Sequence, residues 1–293
     1  MEEKKREMSN INHSLSKGLA KQLAENGRDS WEIEITGGPL IERNSDPNYN
    51  YTDLVDSFWP ASLAAIQYYT NKITTDYVGH SNGCRVALSS LEKYQTTGKS
   101  SVAKVQDLQT GNTVTVNLQG SSSTPVVNTF VGVGCPGALQ GESRFITKAR
   151  EGGEAAIQTL TNQGLKHVTS GDYAQIVDPT INFFIVTGDI LTPGPAFEIS
   201  LELLKFYNDV AISTQDNFVL FGLNINKTYL ITGRYTGLFS IGANNDIIVP
   251  INDSTNIKNM VTSNTEDELT VSTTHNSLPD NLAIKSFIKE VLK

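Results

Sequence analysis

The pentapeptide Gly79-His80-Ser81-Asn82-Gly83 is the feature that most constrains how this chain can fold. A serine hydroxyl is a poor nucleophile unless it is held clear of the backbone beside a base. A sharp strand-to-helix turn does this by forcing an unusual backbone angle on the serine. Small residues on both flanks then let strand and helix approach without a clash. A pattern with three fixed positions also arises by chance, so the flanking sequence has to carry the reading. Tyr77-Val78 close a short β-rich run before the motif, and Cys84 to Tyr94 follow it as an amphipathic helical run.

The same strand-helix alternation extends along the chain. Residues 13–27 place Leu15, Leu19 and Leu23 on one helical face and stop at Gly27. Residues 31–39 alternate apolar and polar and end in Gly-Gly-Pro, which predicts a strand running into a turn. A helix is expected over 51–71, interrupted or started near Pro60. Residues 104–120 read as an exposed hairpin turning at Thr110-Gly111-Asn112, and 124–137 as a buried strand closed by Pro-Gly. Beyond them, 140–178 is helical and polar, 181–189 an apolar strand, 201–212 a helix, and 228–250 a strand followed by a loop. The chain ends in a loop and an amphipathic helix with Leu282, Ile284, Phe287, Ile288 and Val291 on one side. This order predicts an α/β protein with a mainly parallel sheet flanked by helices, whose chemistry collects at the carboxyl ends of the strands.

Composition removes several classes of function. The net charge of −8 and the scattered Lys and Arg argue against a nucleic-acid binder, since the run Lys4-Lys5-Arg6 sits among glutamates. No stretch approaches the ~20 apolar residues that cross a bilayer, and the charged first ten residues carry no secretory signal. Cytoplasmic residence and release from a longer precursor both stay open. The four histidines show no metal-ligand spacing, so a structural metal is not suggested. Cys84 and Cys135 both fall beside the elbow and are expected to be two small buried side chains rather than a disulfide or a reactive thiol.

A nucleophilic serine needs a base. In this architecture the acid and then the histidine follow the serine. His275 is the only histidine late in the chain, in a polar loop 194 residues after Ser81 (275 − 81). His80 precedes the serine and is expected to point away from it, as a packing or supporting residue, and His13 and His167 are read as surface residues. Two aspartates stand at strand ends where they could orient the imidazole: Asp246, 29 residues before His275 (275 − 246), and Asp189 as the second choice. Spacing alone leaves both open. Asp253 and Asp280 are outsiders.

The series YVGHSNG, TFVGVGCPGALQG, NNDIIVP and THNSLP resembles the lipase and esterase branch of the α/β-hydrolase superfamily. The resemblance spans roughly 15–293, on short motifs. It implies the α/β-hydrolase fold, a triad of Ser81, Asp246 and His275, an acyl-enzyme intermediate, no cofactor, and a small-molecule or lipid ester as substrate. It is the resemblance that favours Asp246. A single catalytic domain over 9–293 is expected, with a hairpin insertion at about 97–122. Insertions at about 140–180 and 195–225 would form a cap or lid.

One departure stands out. The oxyanion of acyl transfer takes one backbone N–H from the residue after the nucleophile, here Asn82, and another from a loop after an early strand. That apolar strand and its loop are not visible, so the usual N-terminal strands are expected to be missing. A lost N-terminal portion, a donor from Asn10 to Asn12, or a weakened site would each account for it. Thioesterase, amidase or peptidase chemistry on the same triad, and a catalytically inactive binding protein, are the alternatives to ester hydrolysis.

Overall fold

The computed structural model describes residues 18–33, 51–97, 102–121, 124–137, 220, 223–235, 244, 246 and 249–293. Its centre is a four-stranded parallel sheet built from β1 (Thr75–His80), β4 (Val127–Val133), β6 (Lys227–Gly233) and β8 (Thr265–Val271), in that spatial order. Among the described residues no strand lies beyond β1. Parallel strands must be covered on both faces, and alternate side chains do point to opposite sides. Tyr77, Phe130 and Leu230 enter one core, whereas Val78, Val131, Tyr229 and Ile231 enter the other.

The first core lies under α2 (Trp59–Thr70), α3 (Asn82–Thr97) and α4 (Ile251–Met260), with Trp59, Leu63, Leu88, Leu91 and Ile257 buried. The second lies under α1 (Leu19–Glu25) and α5 (Leu282–Val291), through Leu23, Ile284 and Ile288. Asn281 caps α5, its side-chain oxygen accepting from the N–H groups of Ala283 and Ile284. Arg28, just after α1, binds both the Asp76 carboxylate in β1 and the Leu292 carbonyl after α5, which closes this layer onto the sheet.

Pro60 shapes the start of α2. A proline has no N–H to give to the carbonyl four residues back. The ladder widens there into a π-helical turn, Leu54–Phe58, between the short turn Tyr51–Asp53 and α2. The hairpin expected near 104–120 forms as β2 (Val102–Gln106) and β3 (Thr113–Asn117), with Gly111 in the left-handed region at φ 72°. Ala103 and Val105 turn inward to the first core. A small parallel pair, β5 (Leu223–Asn224) and β7 (Val261–Thr262), completes the architecture.

Three expectations change. Of the strand expected over 31–39 only Trp31–Ile33 is described, and it is not in a strand: the Trp31 ring stacks on Tyr69 at 5.7 Å, and Ile33 packs against the first core. Leu282 is 78% exposed, because it stands two residues, about 200° of helix, from Ile284 and so faces away from the buried stripe. Cys84 and Cys135 form a disulfide with a Cα–Cα distance of 5.4 Å, since the start of α3 and the end of β4 meet. Most of the expected insertions at 140–180 and 195–225, and the elements foreseen at 140–178, 181–189 and 201–212, lie outside the described residues. No described helix is long and apolar enough to cross a membrane.

Candidate active site

The turn between β1 and α3 has the geometry that its sequence requires. Ser81 sits at φ 52°, a left-handed conformation that costs a non-glycine residue about 1–3 kcal/mol. Its N–H donates to the Val133 carbonyl at 2.9 Å, while its own carbonyl accepts from the N–H of Cys84 at 3.0 Å as α3 begins. Gly79 is indispensable to this turn. A Cβ there would lie 2.8 Å from Cys84 Cα and 2.9 Å from Cys84 N, both backbone atoms. At Gly83 a Cβ would meet only the Tyr77 hydroxyl at 3.7 Å, an ordinary contact. That hydroxyl donates to the Gly83 carbonyl at 3.1 Å and ties β1 to the first turn of α3. Burial pushes the Tyr77 phenol up to about 12, so it remains a donor. Asn82 opens α3, where a backbone N–H has no partner within the helix.

His275 and Asp246 are brought together. Asp246 Oδ2 lies 2.7 Å from His275 Nδ1, with the two side chains 1% and 2% exposed. The other carboxylate oxygen accepts from the Val249 N–H at 2.6 Å, and the His275 N–H donates to the Asp246 carbonyl at 2.9 Å. An ionised carboxylate only accepts, so Nδ1 is the donor in this contact, and in the neutral ring Nε2 then keeps the lone pair. Nε2 is buried and has no hydrogen-bond partner among the described residues. The contact expected between Ser81 and His275 is therefore not closed in this structure. The two residues nevertheless share one end of the sheet. Gly134 follows the residue that holds the Ser81 N–H, and it packs directly under the imidazole. A Cβ on it would lie 2.9 Å from His275 Cε1. Gly134 adopts φ 56° and donates to the Ile231 carbonyl at 2.7 Å.

The remaining assignments divide. Asp189 and Asn10 to Asn12 lie outside the described residues. Asp280 is a surface partner of Lys285 at 3.0 Å. Asp253 is not peripheral: it is fully buried on α4, and its Oδ2 accepts the Gly137 N–H at 2.8 Å, while buried Arg85 donates to the Gly137 carbonyl at 2.7 Å. This clamp fixes the Cys135-Pro136-Gly137 turn beside the disulfide. Its signal in the sequence was slight, an arginine in an otherwise apolar helical face. His80, expected to point away from the serine and to pack behind it, lies against His275. Its ring centroid is 4.8 Å from that of His275. Among the described residues no group of His, Cys, Asp and Glu side chains could hold a metal ion.

No protein-family model matches the sequence, and no curated protein matches it. Solved structures do resemble it at low identity. An epoxide hydrolase of Bacillus megaterium is 15% identical, with a TM-score of 0.46 over 94% of this chain and 88% of its own. A putative alpha/beta hydrolase family protein of Desulfitobacterium hafniense is 13% identical, with a TM-score of 0.44 over 94% and 90%. A meta-cleavage product hydrolase of Pseudomonas fluorescens is 13% identical, with a TM-score of 0.42 over 88% and 77%. On its own geometry, a parallel sheet whose first described strand turns through a strained serine into a helix, with aspartate and histidine following in that order, the chain has the α/β-hydrolase fold.

Proposed function

We propose that the protein hydrolyses carboxylic esters through Ser81, His275 and Asp246. One observation carries the reading: a buried imidazole whose Nδ1 is fixed by a buried carboxylate while its Nε2 has no partner among the described residues. Leaving a buried polar atom unpaired costs about 1–3 kcal/mol, and such atoms in native structures call for a reason. A general base supplies one, because its lone pair must stay open until a proton arrives.

In this reaction Nε2 takes the proton of the Ser81 hydroxyl as Oγ attacks the ester carbonyl carbon. The carbonyl π pair becomes an oxyanion beside the Asn82 N–H. Collapse expels the alcohol, which receives the proton from His275 and leaves an acyl group on Oγ. Water, deprotonated by the same nitrogen, then releases the acid. Asp246 stabilises the imidazolium formed in both halves and keeps the ring in one tautomer. The buried disulfide supports a working environment more oxidising than the cytosol.

The test is turnover of nitrophenyl esters of graded chain length beside matched thioesters and amides, with fluorophosphonate labelling of the intact chain. Ser81→Ala should abolish labelling, and Asp246→Asn should lower kcat by about 10⁴, the loss seen when such a histidine takes the wrong tautomer. An intact chain that is neither labelled nor active would favour a binding protein. Faster turnover of amides would move the substrate class.

A further inference from the structure

We infer that His80, the residue preceding the serine, is a positioning residue for the base: its ring nitrogen holds the main chain of His275 and its ring backs the imidazole. The inference rests on the hydrolytic reading above and assigns a role to a side chain that reading leaves idle.

His275 stands on irregular chain, in a one-turn 3₁₀ segment (His275–Ser277) after β8, so no sheet or long helix sets its orientation. Among the described residues three contacts hold its backbone instead. The N–H donates to Asp246, and the carbonyl accepts from the Leu278 N–H at 3.2 Å and from His80 Nε2 at 3.2 Å. A carbonyl can only accept, so His80 carries its proton on Nε2. The third contact is the one that reaches across to regular structure. His80 is the last residue of β1, in register with Val133 of β4, and is thus fixed by the same ladder that fixes Ser81. The nucleophile and the base are thereby referred to one strand end through adjacent residues.

The ring adds a second constraint. At 4.8 Å and 34° it lies against one side of the His275 imidazole, while Gly134 lies against Cε1 and Nδ1. Burial, and then the neighbouring His275, hold His80 far below the ordinary histidine range, at about 3. It is therefore neutral whenever His275 becomes an imidazolium and does not oppose that charge. An apolar ring in this place would fill space without holding the carbonyl. A permanent cation would hold it but repel the imidazolium.

Three substitutions separate these parts. His80→Gln keeps an N–H donor near the Nε2 position and loses the ring, His80→Phe keeps a ring and loses the donor, and His80→Ala loses both. Steady-state ester hydrolysis is read per active site titrated with a fluorophosphonate, with Ser81→Ala as the baseline. Phe and Ala should lower kcat about tenfold, the size of one misdirected hydrogen bond in the transition state, with KM within about twofold. Gln should retain at least about a third of wild-type kcat. Equal losses in Gln and Ala, or unchanged kcat per titrated site in Phe and Ala, would overturn the inference. Activity surviving Ser81→Ala would instead sink the hydrolytic reading. Nitrogen-15 spectra of histidine-labelled wild-type protein give a check that needs no variant. His80 should show Nε2 protonated and Nδ1 bare at neutral pH, and the opposite tautomer would refute it.

Discussion

The disulfide offers the sharpest quantitative test, because it joins the two segments on which the site is built. Cys84 lies three residues after Ser81, and Cys135 one residue after Gly134, the floor of the His275 ring. The two half-cystines are 51 residues apart. Closing a loop of that length removes about 14 cal/mol/K from the unfolded chain, about 4 kcal/mol at 25 °C. Unfolding entropy of about 2.1 cal/mol/K per residue is ~0.6 kcal/mol/K for 293 residues, so losing the cross-link should lower Tm by about 7 °C.

The measurement is calorimetry of the wild type beside Cys84→Ala, Cys135→Ala and the double variant. Both sulfurs are fully buried, so reductant added to the native protein is the poorer probe. Either single substitution already breaks the loop. Each should therefore show most of the loss, and the double variant should add little, a strong departure from additivity. Additive losses of about 1 °C each, as for two independent buried thiols, would refute the reasoning. So would two free thiols titrating in the unfolded, unreduced protein.

Two further outcomes follow from the same neighbourhood. Gly79→Ala should destabilise by about 3 kcal/mol or prevent folding, because its Cβ meets backbone that cannot move aside, whereas Gly83→Ala, in the first turn of α3, should stay within about 1 kcal/mol of the wild type in urea unfolding. His80 binds its proton near 6.5 in the unfolded chain but only near 3 in the folded one, so between those values the unfolded state holds more protons and stability falls as pH falls. The slope from this group is at most ~1.4 kcal/mol per pH unit, and unfolding midpoints taken at pH 7, 5 and 4 should fall less steeply in His80→Gln.

What could be read from the sequence followed from local pattern. β4 and β6 announce themselves as apolar runs because parallel central strands are buried on both faces, and the elbow because its glycines and flanks are contiguous. β8 is the counterexample. Thr265–Val271 carries three acidic residues and is largely exposed, so neither propensity nor alternation marks it, and only its ladder with β6 makes it a strand. The choice between Asp246 and Asp189 was open by spacing. The 2.7 Å contact with His275 gives Asp246 a partner, while Asp189 lies outside the described residues. The disulfide and the Gly137 clamp were illegible for one reason: each joins residues 51 or more apart, through turns whose directions no periodicity encodes.

The features that motif reading misses are also the ones that answer the site's energetic problem. A left-handed serine costs about 1–3 kcal/mol, and a buried imidazole nitrogen without a partner costs about as much again. On the proposed function neither can be relaxed locally, since relaxing the serine withdraws its hydroxyl from the turn and solvating the nitrogen exposes the imidazole. The compensation has to come from neighbours that hold the segments together without touching the serine hydroxyl or the imidazole nitrogen. The disulfide, at about 4 kcal/mol, and the Gly137 main chain, held at both its N–H and its carbonyl, sit within a few residues of Ser81 and Gly134, and both act on the backbone. A scaffold of this kind can keep a left-handed serine and an unpartnered imidazole nitrogen at one strand end while the rest of the sheet remains ordinary α/β packing.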